Sequence, residues 1–533
     1  MISRLLILFL LFFQLHIFAQ EDAWIYLADK EDVTASIANP ISILTQKAID
    51  RKLAHGVTID ARDVPVNETY ISQLKTQTGI TVLAKSKWFN AVHVRGSETD
   101  INNLSGLAYV DQIVFADNNL NARGVVPKNK FNLEAAKTTF NYGLAANQIE
   151  MIQGDALHLE NKSGKGITIA VIDAGFPNVN TMGGFQRLRD SLRILGGYDF
   201  YDRNPNVYAN TSSSHGTLVL STMAGYIENQ YVGTAPDASY YLFRTENAPD
   251  ENPVEESLWV EAAERADSLG VDIINSSLGY KTYDNPNYTH TDADLDGLTT
   301  YISKGANIAF EKGMLVVNSA GNAGASGLNA PADAAGVFTI GAVDSNGNYA
   351  SFSSQGSSFQ PTQKPDVATQ GQASYVIRSS NNIGTANGTS FSAPIMAGAL
   401  ACLWQALPDL TNAEIMQLVR ETASQYHSPD YYLGYGIPNL AMALNYGLSI
   451  QEVQPSPNQI KVFPNPVTNK MHISLAATDI QTQVVLYNIL GKKVLETNLY
   501  QSATIDVSDL AKGVYLLNIK TENSTITKKL IKK

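Results

Sequence analysis

Residues 167–175 read Ile-Thr-Ile-Ala-Val-Ile-Asp-Ala-Gly, an apolar run that ends on a carboxylate and a glycine. Similar apolar runs follow it, separated by stretches of helical character. These later runs are Tyr240–Phe243, Val271–Asn275, Met314–Asn318 and Val337–Val343. Continuous apolar strands that alternate with helices indicate a mainly parallel sheet covered on both faces. Residues 140–448 are therefore predicted to form a doubly wound α/β domain, whose chemistry lies beyond the carboxyl ends of the strands.

Two smaller units flank this domain. Residues 20–118 alternate strand-like and helical segments, which predicts a small α+β unit, and a polar linker at 119–139 follows it. A second linker at 449–459 contains two prolines and leads into residues 460–533, where strand-like segments and turns recur at short spacing. That pattern predicts a small all-β sandwich.

The N-terminus predicts an exported chain. Residues 1–19 combine a charged start, an apolar run from Leu5 to Phe13 and a small residue before a cleavage point, which is typical of a secretory signal peptide. No later segment is long and apolar enough to predict a transmembrane span. The one cysteine, Cys402, lies in an apolar helical stretch, so we expect a small core residue and no internal disulfide.

Composition narrows the function classes. The chain has 533 residues, of which 44% are apolar and 17% are charged, an ordinary globular composition that argues against global disorder. Its 38 basic and 50 acidic side chains give a net charge of −12. Because affinity for nucleic acids depends on clustered Lys and Arg, nucleic acid is not an expected partner.

Three polar residues lie at the ends of strands or the starts of helices, where a parallel α/β domain usually carries its functional groups. Asp173 follows the first apolar strand and precedes a sharp turn at a glycine. His215 lies beside a glycine at the start of a helix, and Ser390 begins the apolar helix that contains Pro394. Each residue alone also has a structural interpretation, as a turn residue or a helix cap. Ser392 is a rival hydroxyl two residues after Ser390.

Asn322 is a fourth polar candidate, in a Gly-rich loop that follows the strand Met314–Asn318. Its side-chain amide has the chemistry to hold a developing oxyanion, and the alternative is a role as a turn residue. The helix start at Ser390 adds free backbone N–H groups and a positive dipole end. Along the chain the four candidates follow one another in the order Asp, His, Asn, Ser.

In that order the motifs resemble the subtilisin family of serine proteases, the subtilases, over about residues 165–445. Five further segments carry the same resemblance: Gly233-Thr-Ala-Pro-Asp237, Ser276-Ser-Leu-Gly279, Gly341-Ala-Val343, Ser351-Phe-Ser353 and Lys364-Pro-Asp-Val-Ala368. The resemblance implies a secreted serine endopeptidase that acts on proteins or peptides. It implies that Ser390 attacks the peptide carbonyl, that His215 transfers the proton and that Asp173 orients the imidazolium. Asn322 and the Ser390 backbone amide would hold the oxyanion.

The resemblance also implies a specificity pocket and no required cofactor. The residues that would flank the pocket are Ser276, Ser277, Leu278, Gly279, Ser319, Ala320 and Gly321. Two residues depart from the family pattern, since Leu218 replaces a common second His and Ala174 replaces the usual Ser or Thr. Neither position supplies a catalytic atom, so the departures bear on specificity and local packing.

The flanking units carry resemblances of their own. Residues 20–118 resemble subtilase prodomains, a β-α-β-β-α-β fold that chaperones and inhibits the catalytic domain, which implies a zymogen cleaved by itself between Ala116 and Asn141. Residues 460–533, with Val462-Phe-Pro-Asn-Pro466, resemble the C-terminal sorting domain of the type IX secretion system. That implies the secretion machinery as a partner and a location outside the outer membrane, secreted or at the cell surface. An adhesive or carbohydrate-binding sandwich is the alternative for this unit.

One loop of the large domain has a metal-like pattern. Asp292, Asp294 and Asp296 alternate as at the start of a calcium loop, which makes calcium a candidate structural ion. The twelfth position of the loop is Ser303 rather than Glu, so the pattern is incomplete and a solvated loop is the alternative.

Two further function classes compete with the endopeptidase. A catalytically inactive surface binding protein on a subtilase fold is the main alternative. An esterase or lipase is disfavoured, because the context of Ser390 lacks the second glycine of a nucleophile elbow. The sequence does not name the substrate: Glu246, Asp250 and Glu251 either line the approach to the cleft and favour basic substrates or form an exposed acidic loop.

Overall fold

The computed structural model describes residues 20–117, 120, 140–453, 460–463, 467–475, 482–488, 492–500, 502–520 and 525–532. The predicted signal peptide and most of the linker at 119–139 lie outside these residues. The chain forms two compact units, Met1–Leu444 and Asn445–Lys533.

The N-terminal part of the first unit is a four-stranded antiparallel sheet with helices on it. Its strands and helices are β1 (Gln20–Leu27), β2 (Thr81–Ser86), β3 (Ala91–Ser97), β4 (Val110–Phe115), α1 (Val33–Ala38), α2 (Gln46–Ala54), α3 (Glu68–Leu74) and α4 (Glu98–Asn103). The strand order is β2-β3-β1-β4. The expected β-α-β-β-α-β order is present, and residues 28–67 add α1 and α2 between β1 and α3. Side chains of Thr45, Asn67 and Ser97 cap α2, α3 and α4 respectively.

The central part of the first unit is built on a seven-stranded parallel sheet. Its strands and two short hairpins are β5 (Thr168–Asp173), β6 (Ile194–Asp199), β7 (Tyr226–Ile227), β8 (Tyr231–Val232), β9 (Ser239–Arg244), β10 (Ile273–Ser276), β11 (Leu315–Ser319), β12 (Val337–Val343), β13 (Val367–Gln370), β14 (Ser374–Ile377) and β15 (Ile383–Ala386). The sheet order is β13-β12-β11-β10-β5-β9-β6. The predicted doubly wound, mainly parallel fold is confirmed.

Helices cover both faces of this sheet. They are α5 (Ala146–Glu150), α6 (Gly154–Leu159), α7 (Gln186–Asp190), α8 (His215–Ala224), α9 (Val254–Leu269), α10 (Tyr301–Glu311), α11 (Thr389–Ala406), α12 (Asn412–Glu421) and α13 (Leu440–Val453). Along β5, Ile169 and Val171 join the core that contains α8 and α11, whereas Ala170 and Ile172 join the core that contains α9 and α10. Because alternate residues of a strand face opposite sides, a run that is apolar throughout fits a strand buried on both faces.

The structure also contains elements that the sequence patterns did not predict. Strands β6 and β13 are the two edges of the large sheet. The first contains two glycines and the second is four residues long, so neither gives a strong strand signal. Helix α10 begins at Tyr301, because the Thr300 side chain accepts a hydrogen bond from the Ser303 N–H and caps it. Helix α13 runs through the first five residues of the predicted linker at 449–459.

The second unit contains two antiparallel sheets. Its strands are β16 (Ile460–Phe463), β17 (Lys470–Leu475), β18 (Thr482–Asn488), β19 (Lys493–Leu499), β20 (Ala503–Asp506), β21 (Gly513–Lys520) and β22 (Thr525–Lys532). They form the sheets β16-β17-β20 and β19-β18-β21-β22 around one apolar cluster, which agrees with the predicted sandwich. Among helices in the described residues, none combines the length and apolarity needed to cross a bilayer.

Candidate active site

Asp173 and His215 form a hydrogen-bonded pair at the carboxyl edge of the sheet. Asp173 ends β5 and is fully buried, and His215 is the first residue of α8. The His215 Nδ1 atom lies 2.7 Å from Asp173 Oδ1, which also accepts a hydrogen bond of 2.7 Å from the Ala174 N–H. Within the described residues, Asp173 Oδ2 is buried and accepts no hydrogen bond. The pair therefore has the arrangement in which a carboxylate orients an imidazole.

The electrostatics of this pair favour a charged imidazole. Burial lowers the pKa of His215, but the negative charge of Asp173, its hydrogen bond and the charge of Glu246 outweigh burial, so that the pKa lies above its usual 6.5. The His215 side chain is still 32% exposed, which leaves it accessible from the cleft. Its Nε2 atom makes no hydrogen bond to any described residue. His215 can therefore accept a proton from an incoming group at Nε2.

Ser390 lies beside this pair at the start of α11. Gly388, at φ 144°, precedes the helix in a backbone conformation that favours glycine. Ser390 is 8% exposed, and its carbonyl oxygen accepts a hydrogen bond of 3.0 Å from the Ser277 hydroxyl. The neighbouring Phe391 ring lies 6.1 Å from the His215 ring, between centroids. No hydrogen bond joins Ser390 Oγ to a described residue, a contact that often forms only with substrate bound.

Ser392, the rival hydroxyl, is fully buried and donates to the Thr389 carbonyl at 3.0 Å. It therefore serves the first turn of α11 and does not face the cleft.

Asn322 is exposed and lies next to the same helix start. Its Oδ1 accepts hydrogen bonds from the Thr389 N–H at 2.9 Å and from the Thr389 hydroxyl at 3.2 Å. With Oδ1 engaged, Nδ2 is the atom of the amide that is free to donate. The Ser390 N–H, in the first turn of α11, also makes no backbone hydrogen bond to a described residue.

The seven residues predicted to flank a pocket lie at the ends of β10 and β11, but not all present side chains to the cleft. Ser276 is fully buried and accepts a hydrogen bond of 2.9 Å from the Trp259 indole, and Ala320 is fully buried. Leu278, Gly279 and Gly321 are half-buried, and Ser277 and Ser319 are nearly buried. The segments therefore offer mainly backbone to a ligand.

Two residues of this region escaped prediction from the sequence. Asn318 is fully buried, and its Nδ2 donates to the carbonyls of Leu278 at 3.0 Å and Ser319 at 2.8 Å, so it joins the two pocket segments. Thr389 orients Asn322, as described above. The sequence did contain a signal for each residue: Asn318 is a polar residue at the end of an apolar strand, and Thr389 directly precedes the candidate nucleophile.

Glu246 does not belong to an exposed loop. It is 8% exposed, and its Oε1 accepts hydrogen bonds from the hydroxyls of Tyr280 at 2.7 Å and Thr245 at 2.6 Å. Burial, helped by the charges of Glu251 and Asp173, raises the pKa of Glu246 to about 7, against the opposing effect of its hydrogen bonds from Thr245 and Tyr280. Asp250, in contrast, is exposed and Glu251 is half-buried.

Two other imidazoles of the central domain make contacts away from Asp173 and Ser390. His158 is buried, contacts the Tyr142 hydroxyl and the Thr234 carbonyl at 2.9 Å each, and has a pKa that burial lowers to about 4. His290 pairs with buried Glu256 at 2.8 Å.

The three Asp residues of the candidate calcium loop already have protein partners. Asp292 pairs with Lys281 at 2.7 Å. Asp294 accepts hydrogen bonds from Thr291, and Asp296 accepts them from the backbone that follows it. In the part of the chain that the structure describes, no group of three or more His, Cys, Asp or Glu side chains is placed to hold a metal ion.

Comparison with known proteins finds family models that match three parts of the chain. The family model described as the subtilase family matches residues 164–436. The peptidase S8 propeptide domain of Bacteroidota matches residues 22–134, and the secretion system C-terminal sorting domain matches residues 461–533.

Individual relatives match the central domain. Subtilisin DY of Bacillus licheniformis is 30% identical over 300 residues, which cover 55% of this chain and 97% of that protein. Subtilisin E of Bacillus subtilis (strain 168) is 31% identical over 300 residues, which cover 55% of this chain and 70% of that protein. Among solved structures, MycP1 from Mycobacterium smegmatis is 22% identical, covering 60% of this chain and 89% of that one, with a TM-score of 0.46.

The fold and these matches define a serine peptidase that is made with a propeptide. The chain belongs to the subtilase family. Its C-terminal sorting domain directs export across the outer membrane to the cell surface or beyond.

Proposed function

We propose that this subtilase is an active secreted endopeptidase that cleaves peptide bonds in proteins through Asp173, His215 and Ser390. The observation that carries the proposal is the Asp173–His215 hydrogen bond of 2.7 Å beside the start of the helix that holds Ser390. A partly exposed imidazole with a free Nε2, next to a serine whose hydroxyl is not engaged by a described residue, is the arrangement needed to activate a serine.

In the proposed mechanism, Ser390 Oγ attacks the carbonyl carbon of the substrate while its proton passes to His215 Nε2. The buried Asp173 carboxylate stabilises the resulting imidazolium through Nδ1. His215 then gives the proton to the leaving amine, and an acyl group remains on Ser390. A water molecule, deprotonated by His215, attacks the acyl carbon and releases the second product.

Asn322 Nδ2 and the Ser390 N–H are the proposed donors to the oxyanion that forms in both halves of the reaction. Both are free of other hydrogen bonds among the described residues. Donors fixed before the reaction stabilise the developing charge without reorganisation during it. The pocket segments around Ser277 and Ser319 are proposed to bind the substrate backbone beside this hole.

The flanking units complete the proposal. The propeptide is proposed to inhibit the catalytic domain until the chain cleaves itself between Ala116 and Asn141. The sorting domain is proposed to be the part that the type IX secretion machinery binds. Every chemical step uses groups of the chain, and calcium enters only as a candidate structural ion.

The test is hydrolysis of casein by the secreted protein, combined with fluorophosphonate labelling, for the wild type beside Ser390→Ala. We expect the wild type to cleave and to take the label, and the variant to do neither. A correctly folded, fully processed wild type that neither cleaves nor labels would favour an inactive binding protein on the subtilase fold.

A further inference from the structure

The segment that the propeptide inserts between β1 and α3, residues 28–67, contacts the catalytic domain far from the active site. We name it the clamp segment. Its helix α2 lies against the amino-terminal ends of β5, β10 and β11. Lys47 Nζ contacts both Thr168, the first residue of β5, and Asp272, just before β10, at 2.7 Å each. Because β5 ends at Asp173, this contact and the triad are separated by the length of the strand, about 17 Å.

Buried charges hold the clamp segment in place. Asp267, at the end of α9, pairs with Arg51 at 2.5 Å and with Lys52 at 2.8 Å. Lys312, which follows α10, pairs with Asp63 at 2.7 Å. All five side chains are at least nine-tenths buried. Lys312 also pairs with half-buried Asp60 at 3.0 Å.

Asp267 and Lys312, the two charged residues that the catalytic domain contributes, have no ionic partner within the described part of that domain. In the described residues, each ion pair of Asp267 and each ion pair of Lys312 is made with the clamp segment. Burial of an ion without a partner is costly, so this surface is built for a partner that carries two adjacent cations and a carboxylate. The clamp segment provides that set in Arg51, Lys52 and Asp63.

A neighbouring contact, about one turn earlier on α9, holds the propeptide sheet. Glu264 on α9 accepts hydrogen bonds of 2.9 Å from the N–H groups of Lys87 and Trp88, and the Trp24 indole donates to Ser257 at 2.8 Å. The clamp segment and the propeptide sheet therefore bind adjacent parts of the same helix, so that formation of one contact favours the other.

We propose that the surface formed by Asp267, Asp272 and Lys312 is an anchor for the clamp segment, which retains the propeptide on the enzyme after the connecting chain has been cut. The anchor lies on the edge of the sheet opposite to the triad, so substrate in the cleft does not compete for it. The inference rests on the proposed cleavage of the connecting chain, after which the clamp segment sets the rate at which the propeptide leaves the enzyme.

The experiment uses the full chain with Ser390→Ala and an added site for a sequence-specific protease between residues 121 and 139. After the cut, size exclusion follows dissociation of the propeptide upon dilution, so the measurement needs no activity from this enzyme. We expect the wild-type clamp to keep the propeptide bound. The double variant Arg51→Met and Lys52→Met removes both partners of Asp267 and should release the propeptide about 100-fold faster or more.

The matched control is Lys75→Met, because Lys75 is an exposed residue of the propeptide that makes no ion pair in the described residues. It should dissociate like the wild type. Lys47→Met, whose side chain is 42% exposed, serves as a milder second variant if the double variant fails to fold, and should release the propeptide faster than the control. Equal dissociation from clamp variants and control would overturn the proposal. Failure of the proposed protease function would instead show as absent cleavage by the wild type in the casein assay.

Discussion

Thr389 donates both its backbone N–H and its hydroxyl to the same oxygen, Oδ1 of Asn322, at 2.9 and 3.2 Å. The Thr389 hydroxyl in turn accepts a hydrogen bond of 3.0 Å from the Gly321 N–H. This arrangement fixes which end of the Asn322 amide carries the oxygen and leaves Nδ2 for the cleft. Thr389 is therefore a positioning residue for the proposed oxyanion hole.

Replacement of Thr389 by Val should lower kcat and leave KM nearly unchanged. The change removes the hydroxyl but keeps the backbone N–H, so one of the two bonds to Asn322 Oδ1 remains. One hydrogen bond contributes about 0.5–1.5 kcal/mol, which corresponds to roughly 2–10-fold in kcat. Steady-state hydrolysis of a peptide amide measures both constants.

Two variants bracket this result. Thr389→Ser retains the hydroxyl and should restore most of kcat, whereas Asn322→Ala should lower kcat about 10²–10³-fold, the loss seen when a subtilisin loses its oxyanion Asn. A Thr389→Val enzyme with unchanged kcat, or with a loss confined to KM, would contradict the positioning role.

Glu246→Gln should move the acid limb of the kcat/KM profile to lower pH. The charges of Asp173 and Glu246 raise the pKa of His215 against the effect of burial, and only neutral His215 can act as base. Removal of one of these negative charges lowers the pKa of His215, so the neutral form that acts as base remains populated at lower pH. Glu246 has a pKa of about 7, so it is partly protonated in the pH range in which His215 titrates. Because of this, and because partial exposure screens the interaction, we expect a shift of well under about one pH unit.

The control is Glu228→Gln, an exposed carboxylate of the same domain, which should leave the profile unchanged. An acid limb that stays in place, or that moves to higher pH, in Glu246→Gln would show that this carboxylate does not act on His215.

Processing of the propeptide should depend on Ser390. If the chain cleaves itself, Ser390→Ala should accumulate with the propeptide attached, since the proposed nucleophile is absent. Mass spectrometry of the mature N-terminus reports the cut, which we expect between Ala116 and Asn141. Ser392→Ala is the matched control, because that hydroxyl bonds to the Thr389 carbonyl and should permit processing. A Ser390→Ala chain processed as fast as the wild type would exclude self-cleavage.

Deletion of residues 454–533 should trap the protein in the periplasm. The cut is placed there because α13 continues to Val453, so it removes the sorting domain without truncating a helix. Fractionation with immunoblotting measures the distribution between periplasm and medium. In the reciprocal experiment, fusion of 454–533 to a periplasmic reporter should export the reporter. Normal export of the truncated chain would contradict the sorting role.

Calcium should leave the melting temperature unchanged. The three carboxylates of the 292–296 loop already pair with Lys281 or accept hydrogen bonds from their own loop, so binding an ion would require these contacts to be replaced. Calorimetry in calcium and in EDTA measures the difference. A higher melting temperature in calcium that Asp294→Asn abolishes would establish a structural ion.

Local patterns in the sequence determined the fold class and the identity of the main candidates. Continuous apolar strands such as 167–172 predicted a sheet buried on both faces, because strand residues alternate between the two faces. The motifs around Asp173, His215, Asn322 and Ser390, taken in chain order with the five further segments, resemble the subtilase family, and the family comparison confirms that recognition. The glycines beside His215 and Ser390 pointed to helix starts, which the structure contains at α8 and α11.

Weak or misleading local patterns explain why the edge strands and the burial of Glu246 could not be predicted from the sequence. The edge strands β6 and β13 are short or rich in glycine. The acidic stretch around Glu246 reads as an exposed loop, yet Glu246 is buried against Tyr280, a residue 34 positions away. Whether a carboxylate can be buried depends on a hydrogen-bond donor that is distant in sequence, and a local sequence pattern does not predict that donor.

The sequence by itself determined the parallel α/β fold, the subtilase family, the propeptide and the sorting domain, because each rests on periodicity or on motifs read along the chain. The tertiary structure alone decided how groups far apart in sequence meet: that Thr389 orients Asn322, that Asn318 joins the two pocket segments, and that Arg51 and Lys52 bury their charges against Asp267. These contacts depend on the register of neighbouring strands and on the packing of the propeptide helices against the central domain. Their free energies arise from burial, which exists only once the chain has folded.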